Sequence, residues 1–438
     1  MKVTVIGGGL AGSEAALQLA QRGVEVDLYE MRPVKTTGAH KTDLLGEFVC
    51  SNSLGSNDIG VASGLLKAEM RKLGSHLLKI ADECSVPAGN ALAIDREMFA
   101  EKLTQIIELT PNITVIREEL THIPDDSPVI IASGPLTSDA LSKNIAEFTG
   151  TEHLHFFDAI APIIEKDSIN FDIAFYASRY DKGEASYINC PMNKEQYENF
   201  YNILINAPRI ELKEFEKNAK FFESCLPIEV IASRGIDTLR FGPLKPVGLV
   251  DPRTNEKNYA VVQLRQDNMA ATLYNLVGFQ TNLKWGAQKE LIHSIPGLEN
   301  ANIVRYGVMH RNTFIFSPKV LNRTLQTKKR KDVFFAGQIT GVEGYTESIA
   351  TGMLAGINMA RFINSRKLIE LDSISMLGAL CKYITFEEHK TLQPINSNWG
   401  ILDPIEMEKK DRKNKKLKNE LCAKRALNYI DNLAVNDL

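Results

Sequence analysis

The chain has 438 residues, 44% hydrophobic and 24% charged, with a net charge of −3. Such a length suits two or three domains with separate cores, and the fractions are those of a soluble globular protein with no apolar run near the length of a membrane span. Its six cysteines (Cys50, Cys84, Cys190, Cys225, Cys381 and Cys422) show neither metal-ligand spacing nor a C-x-x-C pair, so no metal is expected and an important cysteine is a nucleophile rather than a staple. A strand that begins at residue 3 leaves no room for a leader, and a cytoplasmic protein is expected.

In chain order, Val3 to Ile6 reads as a buried strand that runs into Gly7-Gly8-Gly9-Leu10-Ala11-Gly12 and then a helix. This is G-x-G-x-x-G in the setting that binds a dinucleotide: Gly7 makes the tight turn, Gly9 admits a pyrophosphate, Gly12 lets helix and sheet approach, and the helix N-terminus faces the phosphate. A second strand, Val24 to Glu30, ends in Glu30 at the interval of about twenty residues where a carboxylate meets a ribose diol. A loop-rich stretch to Ser63 precedes a helix around Gly64 to Ile80, an amphipathic helix over Glu97 to Glu108, and strands at Ile113 to Arg117 and Pro128 to Gly134. From about 156 to 300 the texture changes to short alternating runs such as Ile173 to Tyr176 and Tyr259 to Leu264, with helices expected at Lys194 to Ile205 and Met269 to Val277.

The opening style then returns. Asp332 to Gly337 is an apolar strand ending in glycine, Gln338 to Glu347 a turn containing Gly341, Gly344 and Tyr345, and Ser348 onward a helix with Gly352 and Gly356 on one face. A late strand and helix completing the first domain is the requirement of a two-part FAD fold, not of a single NAD module, and no second G-x-G-x-x-G occurs. The expected fold class is therefore α/β, a two-part, doubly wound FAD-binding Rossmann-like domain (1–155 and 301–438) with an inserted mixed α/β domain at 156–300. Nine Lys or Arg against three acids between Glu408 and Arg425 make the C-terminal helical tail either a solvated face or a phosphate-binding one; the Lys328 to Lys331 run carries the same two readings.

Among the cysteines, Cys50 stands beside Ser51, Asn52 and Ser53, and Cys225 precedes Pro227 between Glu223 and Glu229; either context suits a reactive thiol. Together with the glycine motifs, Val49-Cys-Ser-Asn-Ser-Leu54, Cys225-Leu-Pro-Ile-Glu229, Gly242-Pro-Leu-Lys-Pro-Val-Gly248, Val308-Met-His-Arg-Asn-Thr313 and Phe335-Ala-Gly-Gln-Ile-Thr-Gly341 resemble the bacterial folate- and FAD-dependent tRNA (uracil-5-)-methyltransferases along essentially the whole chain. A more distant likeness, through Phe335-Ala-Gly-Gln338, is to the FAD-dependent wobble-uridine modification enzyme. One departure is Gly55, where the family pattern leads us to expect Arg.

The resemblance implies 5-methyluridine formation at position 54 of the tRNA T loop. 5,10-Methylenetetrahydrofolate would be the carbon donor, FAD the cofactor and NADH or NADPH the reductant. It further implies Cys225 as nucleophile at uracil C6 and Cys50 as acceptor of the C5 proton, with the reverse assignment open, and His310 over the folate pterin; Tyr345 is a candidate wall of the flavin pocket. Alternatives at this point are a paralogue acting on 23S rRNA, an FAD oxidoreductase of small molecules and a silent flavin-bound RNA binder. Neither DNA nor a membrane is expected as partner, and the oligomeric state is not legible.

Overall fold

The computed structural model describes residues 2–437 except 152, 153, 160, 182, 183, 211–225, 256, 308, 409, 410, 412 and 413; for 154–159, 181, 309–311 and 434–437 it describes the backbone alone. Five parallel strands form one sheet in the order Val333–Phe335, Val129–Ile131, Lys2–Ile6, Glu25–Tyr29, Ile113–Ile116. Val333–Phe335, Val129–Ile131 and nearly all of Lys2–Ile6 are buried because both faces are covered there, while Glu25–Tyr29 alternates buried and more exposed residues. Val3, Val5, Ile130 and Phe334 point to one core, shared with the Leu10–Gln21 and Tyr345–Ile363 helices, while Ile6, Ile131, Val333 and Phe335 point to the other, with Leu141 and Ile145 of the Asp139–Thr149 helix. The chain thus leaves this sheet after Ile131 and adds its fifth strand some two hundred residues later, as a two-part nucleotide fold requires.

Between these strands lies a second, antiparallel sheet of six, in the order Phe175–Ala177, Tyr187–Met192, Ala260–Gln266, Leu273–Leu276, Ile163–Glu165, Ile303–Arg305. Tyr197, Phe200 and Leu204 of the Lys194–Asn206 helix and Leu291 and Ile292 of the Trp285–His293 helix cover it. A two-stranded ribbon, Leu154–Ala159 against Met309–Phe314, carries the chain out and back.

Three local expectations are corrected. Met269 to Val277 is not a helix: Ala271 takes φ +53°, the Asn268 side chain accepts the amides of Thr272 and Leu273, and Leu273–Leu276 is a strand. The stretch from Gly64 to Ile80 is two helices, Ala62–Lys72 and His76–Glu83, broken where Gly74 takes φ +80° and Ser75 caps the second. The late helix starts at Tyr345 rather than Ser348, and its Gly352 and Gly356 do form a packing face. A Cβ on them would stand 2.2 Å from the Ala11 carbonyl oxygen and 2.7 Å from that of Ala15, so the two helices bordering the glycine turn meet backbone to backbone.

Candidate functional site

A cavity partly open to solvent lies at the C-terminal ends of the parallel strands. Gly7, Gly9, Leu10, Ala11, Glu30, Gly337 and Tyr345 are in its lining. Gly7 takes φ +106°, and a Cβ there would stand 2.6 Å from the Ala132 carbonyl oxygen; one on Gly9 would meet nothing within 4 Å. The Leu10–Gln21 helix begins at Gly9 and the Tyr345–Ile363 helix at Gly344, both without a side-chain cap; the Ala62–Lys72 and Trp285–His293 helices also lack one, while Ser75, Asp95, Ser138, Asn193 and Ser375 cap others. Uncapped N–H groups and the helix dipole give the first of these starts a local environment that favours an anion.

The other glycines stand behind the lining. Gly8 donates its N–H to Glu30 Oε2 at 3.1 Å. A Cβ on Gly12 would lie 1.9 Å from the Gly7 carbonyl oxygen. Gly341, at φ +91°, sits under Leu392, and Gly344, at φ +112°, lies against Glu347. Gly55 takes φ +77°, a conformation that an arginine would adopt only with strain.

Glu30 is buried, and its Oε1 accepts from the Arg32 N–H at 3.0 Å and Nε at 2.9 Å. Burial pushes the carboxyl up, but the hydrogen bond and charge of Arg32 outweigh it and hold the group below its ordinary value. A carboxylate has about four lone-pair sites; among the described residues three are filled, by the Gly8 N–H and by the Arg32 N–H and Nε. Arg32, itself 2% exposed, also bonds Glu47 and the Thr42 carbonyl. His40 lines the cavity as well, and burial first, then the charge of Arg32, push it down to about 4, so it is neutral at pH 7. Sequence reasoning singled out neither; Arg32, two residues after Glu30 on the same loop, was the available signal.

Cys50 flanks this cavity: Val49 before it is in the lining, and the Cys50 and Ser51 N–H groups donate to Tyr345 Oη at 2.6 and 3.3 Å. It is half-buried, while Cys84, Cys190, Cys381 and Cys422 are buried. Burial pushes the thiols of Cys84 and Cys190 up, and that of Cys381 up to about 12. Burial likewise raises Tyr345 well above its ordinary value, so its hydroxyl stays protonated. The loop is locked by Asn52, fully buried two residues on. Its Nδ2 donates to the carbonyls of Ile94 and Gln266, and its Oδ1 accepts from Arg265 Nε and Asn275 Nδ2. The second sheet therefore helps shape a loop at the edge of the first.

Cys225 lies outside the described residues, and of His310 only the backbone is described, on the Met309–Phe314 strand opposite Asp158. In the Lys328 to Lys331 run, Lys328 bonds the Pro318 carbonyl and Glu387, Lys329 the Phe148 carbonyl, and Arg330 pairs with Asp332 and Asp125, all contacts within the protein. On the tail helix, Lys415–Asp437, the buried side is Cys422, Ala423, Ala426 and Ile430, and Lys415, Lys416, Lys418 and Lys424 are exposed. Among the described residues no group of His, Cys, Asp and Glu is placed to hold a metal, and no helix is long and apolar enough to cross a membrane.

A parallel sheet ordered around a glycine turn, an uncapped helix start and an acidic residue closing the second strand define an α/β protein of the dinucleotide-binding class. The family model described as "Glucose inhibited division protein A" matches residues 2–367, and the chain belongs to that family. Relatives named "Methylenetetrahydrofolate--tRNA-(uracil-5-)-methyltransferase TrmFO" include one from Halalkalibacterium halodurans, 58% identical over 430 residues and 98% of both chains. Another, from Anoxybacillus flavithermus, is 59% identical over 432 residues and 99% of both. Among solved structures, Aquifex aeolicus GidA in its form II crystal shares the fold with a TM-score of 0.71 at 18% identity, covering 99% of this chain and 73% of the other.

Proposed function

We propose that this chain methylates C5 of uridine 54 in the tRNA T loop, taking the carbon from 5,10-methylenetetrahydrofolate, with FAD as bound cofactor and NADH or NADPH as reductant, in the cytoplasm. The observation that carries this reading is the 58–59% identity, over nearly the whole of both chains, to methyltransferases of that name. The cavity fits FAD on its own evidence, since Gly9 leaves open the space that a Cβ would fill and the Glu30 carboxylate is ionised at the wall.

In this reading the Gly7 to Gly12 turn and the N-terminus of its helix bind the pyrophosphate, Glu30 accepts from the ribose, and Gly337 and Tyr345 close the wall. FAD held there supplies the redox chemistry for turning a methylene into a methyl group. Uracil C5 is a poor nucleophile until a thiolate adds to C6. We assign that addition to Cys225 and the later removal of the C5 proton to Cys50. His310 is assigned to the folate, the 156–300 region to substrate RNA and the exposed lysines of the tail helix to tRNA phosphates. Mapping 5-methyluridine in tRNA and ribosomal RNA from a deletion strain tests the proposal: loss at position 54 of tRNA alone is expected, and loss confined to ribosomal RNA would overturn it.

A further inference from the structure

The peptide around Cys50 is gripped from two sides. On one side, Arg305 Nη2 donates to the Val49 carbonyl at 2.9 Å, and more distantly to that of Ala39 at 3.4 Å. On the other, Tyr345 Oη receives the N–H groups of Cys50 and Ser51. The two side chains come from unrelated elements: Arg305 from the edge strand of the antiparallel sheet, Tyr345 from the first turn of the helix at the cavity. Arg96, nearby, is neutralised by a bidentate bond to Asp267. Arg305 makes no ion pair among the described residues; burial first, then the charge of Arg96, disfavour its cation, while Tyr345, Cys50 and Glu47 favour it without outweighing them. A partly buried guanidinium without a carboxylate partner is costly. Here it is committed to the carbonyl immediately before the cysteine.

We propose that Arg305 is a positioning residue for the Cys50 step, fixing with Tyr345 the Val49 to Ser51 peptide so that the Cys50 sulfur meets the uracil C5 proton. This rests on the assignment of the two cysteines made above. In that step the C5–H bond breaks and its proton passes to the Cys50 thiolate. The electron pair left at C5 restores the C5=C6 double bond as the Cys225 sulfur leaves C6.

The test uses the full-length, FAD-loaded protein with T-loop RNA carrying uridine or 5-fluorouridine, methylenetetrahydrofolate and reductant. Arg305→Gln should form the 5-fluorouridine adduct at the wild-type rate but release methylated product from ordinary uridine roughly 10- to 100-fold more slowly, the scale of a small misplacement. Arg305→Lys should restore part of the release. Combining Arg305→Gln with Cys50→Ala should add no loss beyond that of Cys50→Ala, because both act on one step. Tyr345→Phe keeps the ring, removes the Oη and should give the same pattern; it decides the matter if Arg305→Gln does not fold. Slowing of adduct formation and release alike, or a loss that multiplies with that of Cys50→Ala, overturns the proposal. A wild-type adduct mapped to Cys50 overturns the cysteine assignment and the proposal with it, and is told apart because it shows without any change at Arg305.

Discussion

Gly9→Val separates cofactor binding from folding more cleanly than any other change at the glycine turn. Gly9 has φ −76° and ψ −170°, values open to any residue, and its Cβ would meet nothing within 4 Å, so the loss of stability should stay below about 1 kcal/mol. The branched side chain would instead occupy the space before the uncapped helix start. If it displaces the pyrophosphate from two charge-assisted N–H bonds, at about 1.5–3 kcal/mol each, the loss is about 3–6 kcal/mol, a fall in FAD affinity of roughly 10²- to 10⁴-fold. Titrating FAD into the apo-protein by flavin fluorescence, with a thermal melt alongside, measures both. Gly12→Ala is the contrasting control, since its Cβ would strike the Gly7 carbonyl at 1.9 Å and the fold itself should suffer. A Gly9→Val protein that melts normally and binds FAD as tightly as wild type would show that the pyrophosphate does not cross this turn.

Other consequences are open to direct measurement. His310→Ala should weaken saturation by methylenetetrahydrofolate up to roughly tenfold, the worth of one ring contact, with FAD still bound; unchanged saturation would remove His310 from the site. Reversing the charge of Lys415, Lys416, Lys418 and Lys424 should weaken binding of all tRNAs alike and flatten its salt dependence by about one unit of slope per lost phosphate contact. An unaltered slope would leave the tail helix a solvated face. Glu69 is fully buried, accepts the N–H groups of Met376 and Leu377, and is pushed by burial up to about 7. Between its ordinary value of 4.5 and about 7 the folded state holds more protons than the unfolded chain, so this group makes stability fall as pH rises through that window. Denaturant midpoints of wild type and Glu69→Gln should therefore diverge in the variant's favour from pH 5 to 7, and parallel curves would refute the raised value.

What could be read in the sequence was what local pattern dictates. The strand, glycine turn and helix at residues 3–20, the acidic end of the second strand and the late apolar strand at 333–335 each announce themselves within a few residues, and the Gly352 and Gly356 face follows from helical spacing. The helix expected at Met269 to Val277 failed because helix-favouring composition was weighed above the Asp267-Asn268 pair, whose side chains favour turns, and because pairing with Ile163 to Glu165 overrides propensity. The contacts of Arg305, Asn52 and His40 were invisible for a different reason. Arg305 and Asn52 act through partners far along the chain, from 42 residues away for Asn52 and Ile94 to 266 for Arg305 and Ala39, and His40 is set apart by a cavity wall that several separate segments build. No spacing rule links such positions before the sheets are assembled.

The central claim is tested most directly by following the carbon. Purified protein, an unmodified tRNA transcript, FAD, NADH or NADPH and methylenetetrahydrofolate labelled in its methylene carbon should yield labelled 5-methyluridine at position 54, read by mass spectrometry of nuclease fragments. Omitting the folate should abolish it. Unlabelled 5-methyluridine, or a correctly folded, FAD-loaded protein that leaves the transcript unmodified under these conditions, would contradict the account.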